Sequence, residues 1–318
     1  MSSHTVSILG GTGFVGRFLA TRLSEAGHDI VIPTRRREQQ RDLLVLPTVR
    51  LVQGDIQDAA FLRTQFEDRD VVINLVGILN ESGRSGKGFA RAHAELPATI
   101  VRVCHQTGVK RLLHMSALHA SPEAPSFYLR TKAQGEDTVH SANGPNFHVT
   151  SFRPSVIFGP GDSFLNRFAG LLRLTPWLFP LACPEAKFQP VYVENVVSAM
   201  VQALDNHKTF GKRYDLCGPR VYTLRDLVNY VAKLIGKRVY ILGLNNRMSW
   251  LQAAALEFAP GKPFSLDNYR SLQIDSVCTS GFPAVFDVSP ASVEEIAPTY
   301  IPSRATDRLS SLRRLAHR

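Results

Sequence analysis

A chain of 318 residues, 44% of them hydrophobic, is long enough to bury a large core and to form two lobes. Lysine and arginine total 37 against 27 acidic residues, and the formal charge of +10 favours anionic ligands or partners: nucleotide phosphates, acidic lipids or acidic proteins. No basic block is interleaved with aromatic residues, which argues against a nucleic-acid-binding protein.

The four cysteines are scattered along the chain and form no CxxC pair: Cys104, Cys183, Cys217 and Cys278. We therefore expect four reduced core thiols, which would fit a reducing compartment, and no metal site. In "MSSHTVSILGGTG" (1–13) no cationic segment precedes an apolar stretch, and no apolar run is long enough to span a bilayer. These features predict a cytoplasmic protein, with peripheral attachment to the inner membrane as an alternative.

The first half of the sequence alternates short apolar runs with helical patterns. "TVSILG" (5–10) is a β-branched apolar run that ends in glycine, and "FVGRFLATRLSEAG" (14–27) has helical periodicity and a glycine stop. Further strands are predicted at 29–34, 49–55, 71–77, 111–117 and 147–154, with clear helical patterns at 91–107 and 127–141. This alternation predicts an α/β fold of the Rossmann type, a doubly wound parallel sheet with helices on both faces.

After Pro154 the pattern changes to a segment rich in proline, phenylalanine and leucine. A short strand with a helix, another sheet strand, and the first of several helices are predicted next, at 189–204, 212–219 and 222–237. The predicted domains are therefore a dinucleotide-binding domain (1–155 and 188–218), a smaller, mostly helical lobe (156–187 and 219–300) and a basic tail (301–318).

The stretch "GGTGFVG" lies between the first predicted strand and the first predicted helix. In that context glycines permit a tight turn and a close backbone approach to a pyrophosphate, while the helix N-terminus offers N–H groups and the positive end of its dipole. A glycine-rich turn without a ligand is the alternative. We predict that a nicotinamide dinucleotide binds to Gly10, Gly11, Thr12, Gly13, Phe14, Val15 and Gly16.

The end of the second predicted strand bears on the choice between NAD(H) and NADP(H). An NAD-binding fold usually has an acidic residue there that bonds the ribose hydroxyls, but this chain has "PTRRR", in which Arg35 and Arg36 follow Thr34. An arginine in this place can pair with a 2′-phosphate. A solvated charge run at the start of a helix is the alternative. We predict that NADP(H) is preferred to NAD(H).

Four motifs together resemble the extended or atypical short-chain dehydrogenases/reductases. They are the glycine loop, "GDIQD" (54–58), Ser116 in "MSA", and the pair Tyr128 and Lys132 in "YLRTK". The pair is four residues apart, which places both side chains on one face of a helix. A tyrosine and a lysine at this spacing also occur by chance in helices, so it is the combination with the serine and the glycine loop that carries the resemblance.

The resemblance implies a role for each of these residues. Tyr128 would transfer a proton, Lys132 would contact the nicotinamide ribose and lower the tyrosine pKa from its usual ~10, and Ser116 would orient the substrate oxygen. The simpler alternatives are a turn residue for Asp55 and a strand-end cap for Asn74. The further cofactor contacts that the resemblance implies are Asp55 and Ile56 at the adenine, Asn74 and Gly77 after the fourth strand, and Pro154, Ser155 and Val156 beside the nicotinamide.

Two residues depart from the family pattern. Many catalytic members have an asparagine that supports a proton-relay water where this chain has His93, and a threonine where it has Pro97. His93 could serve the relay itself, or it could be a core histidine bonded to the backbone. Together with the segment "PTRRREQQRDLLVLPTVRL" (33–51), this histidine makes the sequence resemble one subgroup of the family. That subgroup includes the nucleotide-binding accessory subunit of respiratory complex I and its bacterial relatives. The nucleotide of that subunit is thought to have a structural role.

Two functions are consistent with these residues. The first is an NADP(H)-dependent oxidoreductase that transfers a hydride to or from an unidentified small-molecule substrate, with Tyr128 moving the proton. The second is a non-catalytic NADPH-binding accessory or assembly subunit of a complex I-like NADH:quinone oxidoreductase, stabilised by its nucleotide. Intact Ser116, Tyr128 and Lys132 favour the first function, whereas His93 and Pro97 favour the second.

The segment "FLNRFAGLLRLTPWLFPLAC" (164–183) has Phe164, Phe168, Leu171 and Leu172 at helical spacing. A core helix of the smaller lobe followed by a buried loop is one interpretation. The other is that this segment, together with the basic tail, docks on an acidic membrane surface or on an apolar partner.

Overall fold

The computed structural model describes residues 3–259 and 262–301. From the N-terminus, strands and helices alternate as far as the sixth strand. These elements are β1 (Thr5–Leu9), α1 (Phe14–Glu25), β2 (Asp29–Thr34), α2 (Arg41–Leu44), β3 (Val49–Gln53), α3 (Ala59–Phe66), β4 (Val71–Asn74), α4 (Lys87–Ala90), α5 (Leu96–Thr107), β5 (Arg111–Met115), α6 (Phe127–Ser141) and β6 (His148–Pro154). A π-helical turn, Arg91–Glu95, connects α4 to α5.

Beyond β6 the strands are mostly short. The elements are β7 (Ile157–Phe158), α7 (Leu165–Leu174), β8 (Leu178–Leu181), β9 (Lys187–Phe188), β10 (Val191–Tyr192), α8 (Val193–Gln202), β11 (Lys212–Leu216), β12 (Tyr222–Thr223), α9 (Leu224–Leu234), β13 (Tyr240–Gly243), α10 (Asn246–Leu256), α11 (Leu266–Ser271) and α12 (Val293–Tyr300).

The chain forms two compact units. The first comprises the chain up to Pro154 together with Val193–Leu216 and Phe282–Ser289, and the second comprises Ser155–Tyr192, Cys217–Gly281 and the described residues from Pro290. The predicted domains differ from these units mainly at residues 188–192 and 282–289. Residues 188–192 belong to the second unit because β9 and β10 pair there with β12 and β7.

A seven-stranded parallel sheet in the order β11-β6-β5-β4-β1-β2-β3 forms the first unit. Its central strand, β1, pairs on both sides, so that Val6 lies opposite both Ile30 of β2 and Val71 of β4. Val6, Ile8 and Leu9 are fully buried, as expected for a strand that is covered on both faces. The predicted fold class is confirmed. Because the strand order reverses between β1 and β4, their carboxyl ends flank the place where such sheets bind ligands.

Several strands end earlier than their apolar runs predicted, and β4 and β3 show why. Strand β4, predicted to residue 77, stops at Asn74, whose side-chain oxygen accepts a hydrogen bond from the backbone N–H of Val76 at 3.1 Å and turns the chain. Strand β3, predicted to residue 55, stops at Gln53, and Gly54 packs so closely on Phe61 that a Cβ atom there would overlap the ring. Hydropathy alone does not register such turns.

A disulfide corrects the expectation of four reduced thiols. Cys217, directly after β11, is bonded to Cys278, and only Cys104 and Cys183 are free among the described residues. The bond forms because backbone hydrogen bonds join Ser276 to Lys187 and Gln189, while the N–H of Cys278 donates to the side chain of Gln189. These contacts bring together residues that are 61 positions apart, so sequence spacing could not reveal the pair. The argument for a reducing compartment no longer follows.

The second unit has its own hydrophobic core around α7 and α9. Leu165 and Leu172 are fully buried, and Phe164 and Phe168 pack against the same cluster, so the core-helix interpretation of this segment is confirmed. The buried loop expected after it is wrong, because Trp177 is exposed. Within residues 3–259 and 262–301, no helix is both long and apolar enough to cross a bilayer. The predicted basic tail lies outside the described residues from position 302 onward.

Helix α6 packs unusually closely on the π-helical turn at Gly135. A Cβ atom at this position would overlap the backbone carbonyl oxygen of His93. Glycine is therefore the residue that allows this approach, although it costs up to about 1 kcal/mol of helix propensity relative to alanine.

The variant Gly135→Ala should lower the free energy of unfolding by about 1–3 kcal/mol, because the added methyl group has to displace backbone. The matched control is Gly170→Ala in α7, where a Cβ atom meets nothing within 4 Å. That change should be neutral or stabilising, by up to about 1 kcal/mol. Urea denaturation followed by circular dichroism measures both, and equal effects of the two variants would contradict the close packing.

Candidate functional site

The turn between β1 and α1 has no room for side chains at its glycines. Gly10 has a φ of +79°, and a Cβ atom there would lie 3.0 Å from the carbonyl carbon of Leu75. A Cβ atom on Gly16 would lie 2.5 Å from the backbone oxygen of Gly10. The N–H of Gly13 donates to that same oxygen at 2.9 Å and closes the turn. The predicted glycine loop therefore brings α1 directly against the end of β1.

The N-terminus of α1 is open to an anionic ligand. Gly13 is its N-cap residue and supplies no side-chain cap, and the first turn contains no acidic residue. Gly13 is exposed, and Thr12, Phe14 and Val15 are partly exposed. Backbone N–H groups at an uncapped helix start, together with the helix dipole, suit a phosphate group. The local geometry therefore fits the pyrophosphate of a dinucleotide.

Arg35 and Arg36 lie exposed directly after β2. The strand ends at the buried Thr34, whose hydroxyl accepts a hydrogen bond from the backbone N–H of Arg36 at 3.4 Å. Within the described residues, neither arginine side chain forms an ion pair, whereas Arg37 lies 3.6 Å from Glu38. Two cationic side chains therefore extend into solvent at the strand end where an NAD-binding fold usually has a carboxylate.

The side chain of Asn74 holds the backbone at the end of β4. Its amide nitrogen donates to Nδ1 of His114 at 3.2 Å, and its oxygen accepts the N–H of Val76. Asn74 is 1% exposed, so the strand-cap interpretation is confirmed. The turn that Asn74 forms places the carbonyl of Val76 and the α-carbon of Gly77 next to the amino group of Lys132. A Cβ atom on Gly77 would lie 3.3 Å from the lysine nitrogen.

Asp55 and Ile56 lie in the turn that leads from β3 to α3. The carboxylate of Asp55 accepts a hydrogen bond from the N–H of Gln57 at 3.0 Å, as the turn-residue interpretation predicted. Ile56 is partly buried against the hydrophobic cluster of α3 and α5. A contact of either residue with adenine stays a prediction.

Lys132 projects from α6 to the carboxyl ends of two central strands. Its amino group donates to the carbonyl oxygen of Met115, after β5, at 2.9 Å and to that of Val76, after β4, at 3.3 Å. The side chain is 4% exposed. Burial lowers the pKa of Lys132 to about 8, an effect that the nearby carboxylate of Glu136 partly offsets. The amine therefore loses its proton just above physiological pH.

Tyr128 lies one turn before Lys132, among aromatic rings. Its ring meets that of His93 edge-on with centroids 5.5 Å apart, and Phe89 lies 6.3 Å away. The ring is partly exposed, but the protein atoms around the phenol desolvate it and raise the pKa of Tyr128 to about 12. The phenol is therefore protonated at neutral pH, and the lowering of this pKa by Lys132 stays a prediction.

The hydroxyl of Ser116 is hydrogen-bonded to a carboxylate that belongs to an ion pair. It donates to the carboxylate of Glu136 at 3.0 Å, and the serine is 2% exposed. Both oxygens of Glu136 also accept from the guanidinium of Arg153 at 2.9 Å, and Arg213 lies 3.6 Å away. Sequence reasoning missed Glu136. The signal was available, since this glutamate follows Lys132 by four residues and shares its helix face.

Both ring nitrogens of His93 are bonded inside the protein. Nε2 accepts the backbone N–H of Ile78 at 3.0 Å, so the ring proton is on Nδ1, which donates to the hydroxyl of Thr131 at 3.1 Å. Burial, and then the charge of Lys132, lower the pKa of His93 to about 2. The histidine is neutral and bonded to the backbone, as one of its two interpretations predicted. This arrangement gives no support to a proton relay through His93.

The last predicted cofactor residues follow one another at the end of β6. Pro154 closes the strand in the first unit, and its carbonyl accepts the N–H of Leu118 at 3.1 Å. Ser155 and Val156 begin the second unit. There the hydroxyl of Ser155 donates to the carbonyl of Ser276 at 2.9 Å, and the carbonyl of Val156 accepts the N–H of Val191 at 3.0 Å. Their contact with a nicotinamide stays a prediction.

Residues 6–217 match the family described as the NAD dependent epimerase/dehydratase family. The chain belongs to this family. The match begins in β1 and ends at Cys217, so it spans the glycine turn, Tyr128 and Lys132. The resemblance to extended short-chain dehydrogenases/reductases is thereby confirmed, and a nicotinamide dinucleotide is the class of cofactor that the family description names.

Named relatives include subunits of a respiratory complex and an enzyme. The chain is 30% identical over 312 residues to NADH dehydrogenase (ubiquinone) 1 alpha subcomplex subunit 9, mitochondrial, of Mus musculus, with 92% of this chain and 78% of the relative covered. The Arabidopsis thaliana protein of the same name is 30% identical, with 87% and 69% covered. Ceramide reductase of Caulobacter vibrioides is 28% identical over 199 residues, with 62% and 59% covered.

Solved structures share the fold. The epimerase Mth375 of Methanothermobacter thermautotrophicus has a TM-score of 0.72 at 17% identity, with 94% of this chain and 91% of that chain covered. MoeE5 in complex with UDP-glucuronic acid and NAD has a TM-score of 0.65 at 20% identity, with 76% and 85% covered. At such low identity these similarities show that the fold is shared. They do not show that the substrate or the reaction is shared.

The variant Glu136→Gln should lower the free energy of unfolding by about 2–4 kcal/mol, because it removes the carboxylate that neutralises Arg153 inside the protein. Asp137→Asn is the matched control. Asp137 is the next residue and pairs with Arg213 at 2.7 Å, but its side chain is 57% exposed, so its loss should cost less than about 1 kcal/mol. Thermal and urea unfolding measure the stability of both variants. A similar loss of unfolding free energy in the two would contradict the claim that the buried carboxylate of Glu136 stabilises the fold.

Proposed function

We propose that this family member is an NADP(H)-binding accessory subunit of a respiratory NADH:quinone oxidoreductase, in which the nucleotide is held rather than turned over. The observation that carries the proposal is the contact of Ser116 with Glu136. A serine that donates its proton to a buried carboxylate is not available to orient a substrate oxygen. His93 supports the same conclusion, because it is neutral and both of its ring nitrogens are hydrogen-bonded within the protein. The relatives that are named as subunits of NADH dehydrogenase support it as well.

The residues of the first unit fit the parts of the nucleotide. The pyrophosphate would lie at the turn from Gly10 to Gly16, and a 2′-phosphate would pair with Arg35 or Arg36. Lys132 would exchange a backbone carbonyl for a ribose hydroxyl as its hydrogen-bond partner. The adenine would lie by Asp55 and Ile56, with Asn74, Gly77 and Pro154 toward the nicotinamide. A bound nicotinamide supplies hydride transfer, whereas in an accessory subunit the nucleotide stabilises the native fold by mass action.

An NADP(H)-dependent oxidoreductase of unidentified substrate is the second candidate. The retained pair of Tyr128 and Lys132 favours it, as does the similarity to ceramide reductase. In that case Tyr128 would donate or accept the proton at the substrate oxygen. Its pKa of about 12 makes it a better acid than base, unless the charge of Lys132 lowers that pKa once a ligand excludes water from both groups.

Binding of NADPH should be tighter than binding of NADH and should depend on the arginines after β2. The double variant Arg35→Ala/Arg36→Ala should weaken NADPH binding by about 10- to 100-fold and leave NADH binding nearly unchanged, because it removes charge-assisted bonds to the 2′-phosphate. Arg63→Ala, an exposed arginine of α3, is the control for net charge. Fluorescence titration measures the affinity of each of the three proteins for each nucleotide. Equal affinities in the unchanged protein would overturn the NADP(H) assignment.

The accessory role predicts binding without turnover. Protein loaded with NADPH should not oxidise it with a panel of aldehydes, ketones and keto-lipids. Lys132→Ala should weaken NADPH binding by about tenfold, since it removes a contact with the cofactor, while Tyr128→Phe should bind as the unchanged protein does. Turnover that falls by ~10²–10⁴-fold in Tyr128→Phe would establish the oxidoreductase instead.

A second measurement addresses assembly directly. In native gels of membranes solubilised with mild detergent, the protein should migrate with NADH:quinone oxidoreductase activity. Migration apart from that activity, together with intact NADPH binding, would refute the accessory role but leave the cofactor assignment standing.

A further inference from the structure

Both tryptophans of the chain are exposed, and both belong to the second unit. The sequence contains two tryptophans, Trp177 and Trp250, whose exposed fractions are 69% and 51%. Tryptophan is a large apolar side chain that is usually well buried. A chain that leaves both of its tryptophans in solvent, within one compact unit, has a surface to be explained.

Trp177 lies at the start of a small sheet whose outer face is apolar. Strand β8 begins directly after it, and its carbonyl accepts the N–H of Tyr240 in β13 at 2.8 Å. Along β13, Tyr240 and Leu242 are exposed while Ile241 between them is buried, as the alternation of a strand requires. Leu174, at the end of α7, is 85% exposed. Large side chains thus cover the solvent side of this sheet.

Helix α10 exposes large apolar residues and buries small ones, which is the opposite of what a surface helix usually does. Its buried side consists of the small residues Ser249 and Ala253, both 0% exposed, while Met248, Trp250 and Leu251 are about half exposed. A helix in a water-soluble protein usually buries its large apolar residues. A hydrogen bond of 3.0 Å from Gln252 to the carbonyl of Pro180 holds α10 beside β8. We call the exposed large apolar residues of the sheet, of α10 and of the chain next to them the tryptophan face: Leu174, Trp177, Tyr240, Leu242, Met248, Trp250, Leu251 and Phe258.

Basic residues occur in the two stretches that supply most of the tryptophan face. Residues 164–183 and 237–256, which supply nearly all of it, contain no aspartate or glutamate. The same stretches contain Arg173, Lys237, Arg238 and Arg247, and the side chain of Lys237 donates to the carbonyl of Arg173 at 2.8 Å. Arg238 and Arg247 are exposed. Basic residues therefore accompany the apolar side chains on the sheet and on the helix.

We propose that the tryptophan face binds the surface of a lipid bilayer that contains anionic phospholipids. Exposed tryptophan and tyrosine with aliphatic neighbours suit the headgroup region, where an aromatic ring can bury its body and keep its polar atom hydrated. The lysines and arginines of these two stretches complement a negatively charged membrane surface. The inference concerns the second unit alone and does not rest on the proposed function.

Co-flotation of the full chain with vesicles tests the proposal. At low salt the protein should float with vesicles of phosphatidylcholine and phosphatidylglycerol, and about tenfold less with phosphatidylcholine alone. Since the chain has two tryptophans, its fluorescence reports on the face directly. On binding, the emission should shift to shorter wavelength and be quenched by lipids with brominated acyl chains.

Two sets of variants separate the apolar from the electrostatic contribution. Trp177→Ser/Trp250→Ser should reduce vesicle binding by at least about tenfold. Arg173→Ala/Arg238→Ala/Arg247→Ala should reduce it on anionic vesicles only. The matched controls lie in the first unit: Val45→Ser, at a residue that is 78% exposed, and Arg63→Ala/Arg91→Ala/Lys212→Ala, at exposed basic residues. Controls should bind vesicles as the unchanged protein does, and NADPH binding should be equal in all variants.

Three results would overturn the proposal. One is the absence of binding to anionic vesicles at low salt. Another is binding that persists in Trp177→Ser/Trp250→Ser without a spectral change in the unchanged protein, which would assign the interaction to another basic segment such as residues 302–318. The third is a dimer in sedimentation experiments that the tryptophan variant dissociates, because the face would then be an interface between two copies of the chain.

Discussion

A carboxylate buried inside the first unit constrains the edge of the sheet where the predicted cofactor residues converge. Glu136 is 1% exposed, and a charge in that position is stable only if other groups neutralise and bond it. Its partners are Ser116, after β5, and Arg153, in β6, so the ion pair ties helix α6 to two strands. Tyr128 and Lys132 belong to the same helix, so this interaction and the close packing at Gly135 both help to place them.

That interaction also changes the chemical meaning of the serine, tyrosine and lysine pattern. In a reductase the serine hydroxyl has to face the substrate, whereas here Ser116 is committed to Glu136. The amine of Lys132 is surrounded by backbone carbonyls, and burial stabilises the neutral forms of both Lys132 and Tyr128. The residue types of an active site are thus compatible with the proposed site, which binds a nucleotide and does not turn it over.

The second unit has a filled core and also leaves large apolar side chains exposed. Its core is built from α7 and α9, and a disulfide joins two segments that are far apart in the chain. The fully buried residues of α10 are the small Ser249 and Ala253, whereas Met248, Trp250 and Leu251 are exposed. An apolar surface of this kind is costly in water, so its occurrence beside basic residues indicates a contact that the isolated chain does not make.

The sequence by itself determined the parallel sheet, the glycine turn and the spacing of Tyr128 and Lys132. Each depends on residues that are close in the chain: apolar runs with helical patterns between them, glycines at a strand end, and two side chains one helical turn apart. Only the tertiary structure decided what Ser116 and His93 bond, which cysteines pair and where the tryptophans lie. Those outcomes depend on partners many residues away, such as Glu136 for Ser116 and Ile78 for His93. Hydropathy cannot tell a buried from an exposed tryptophan, because that distinction is made by packing between distant segments.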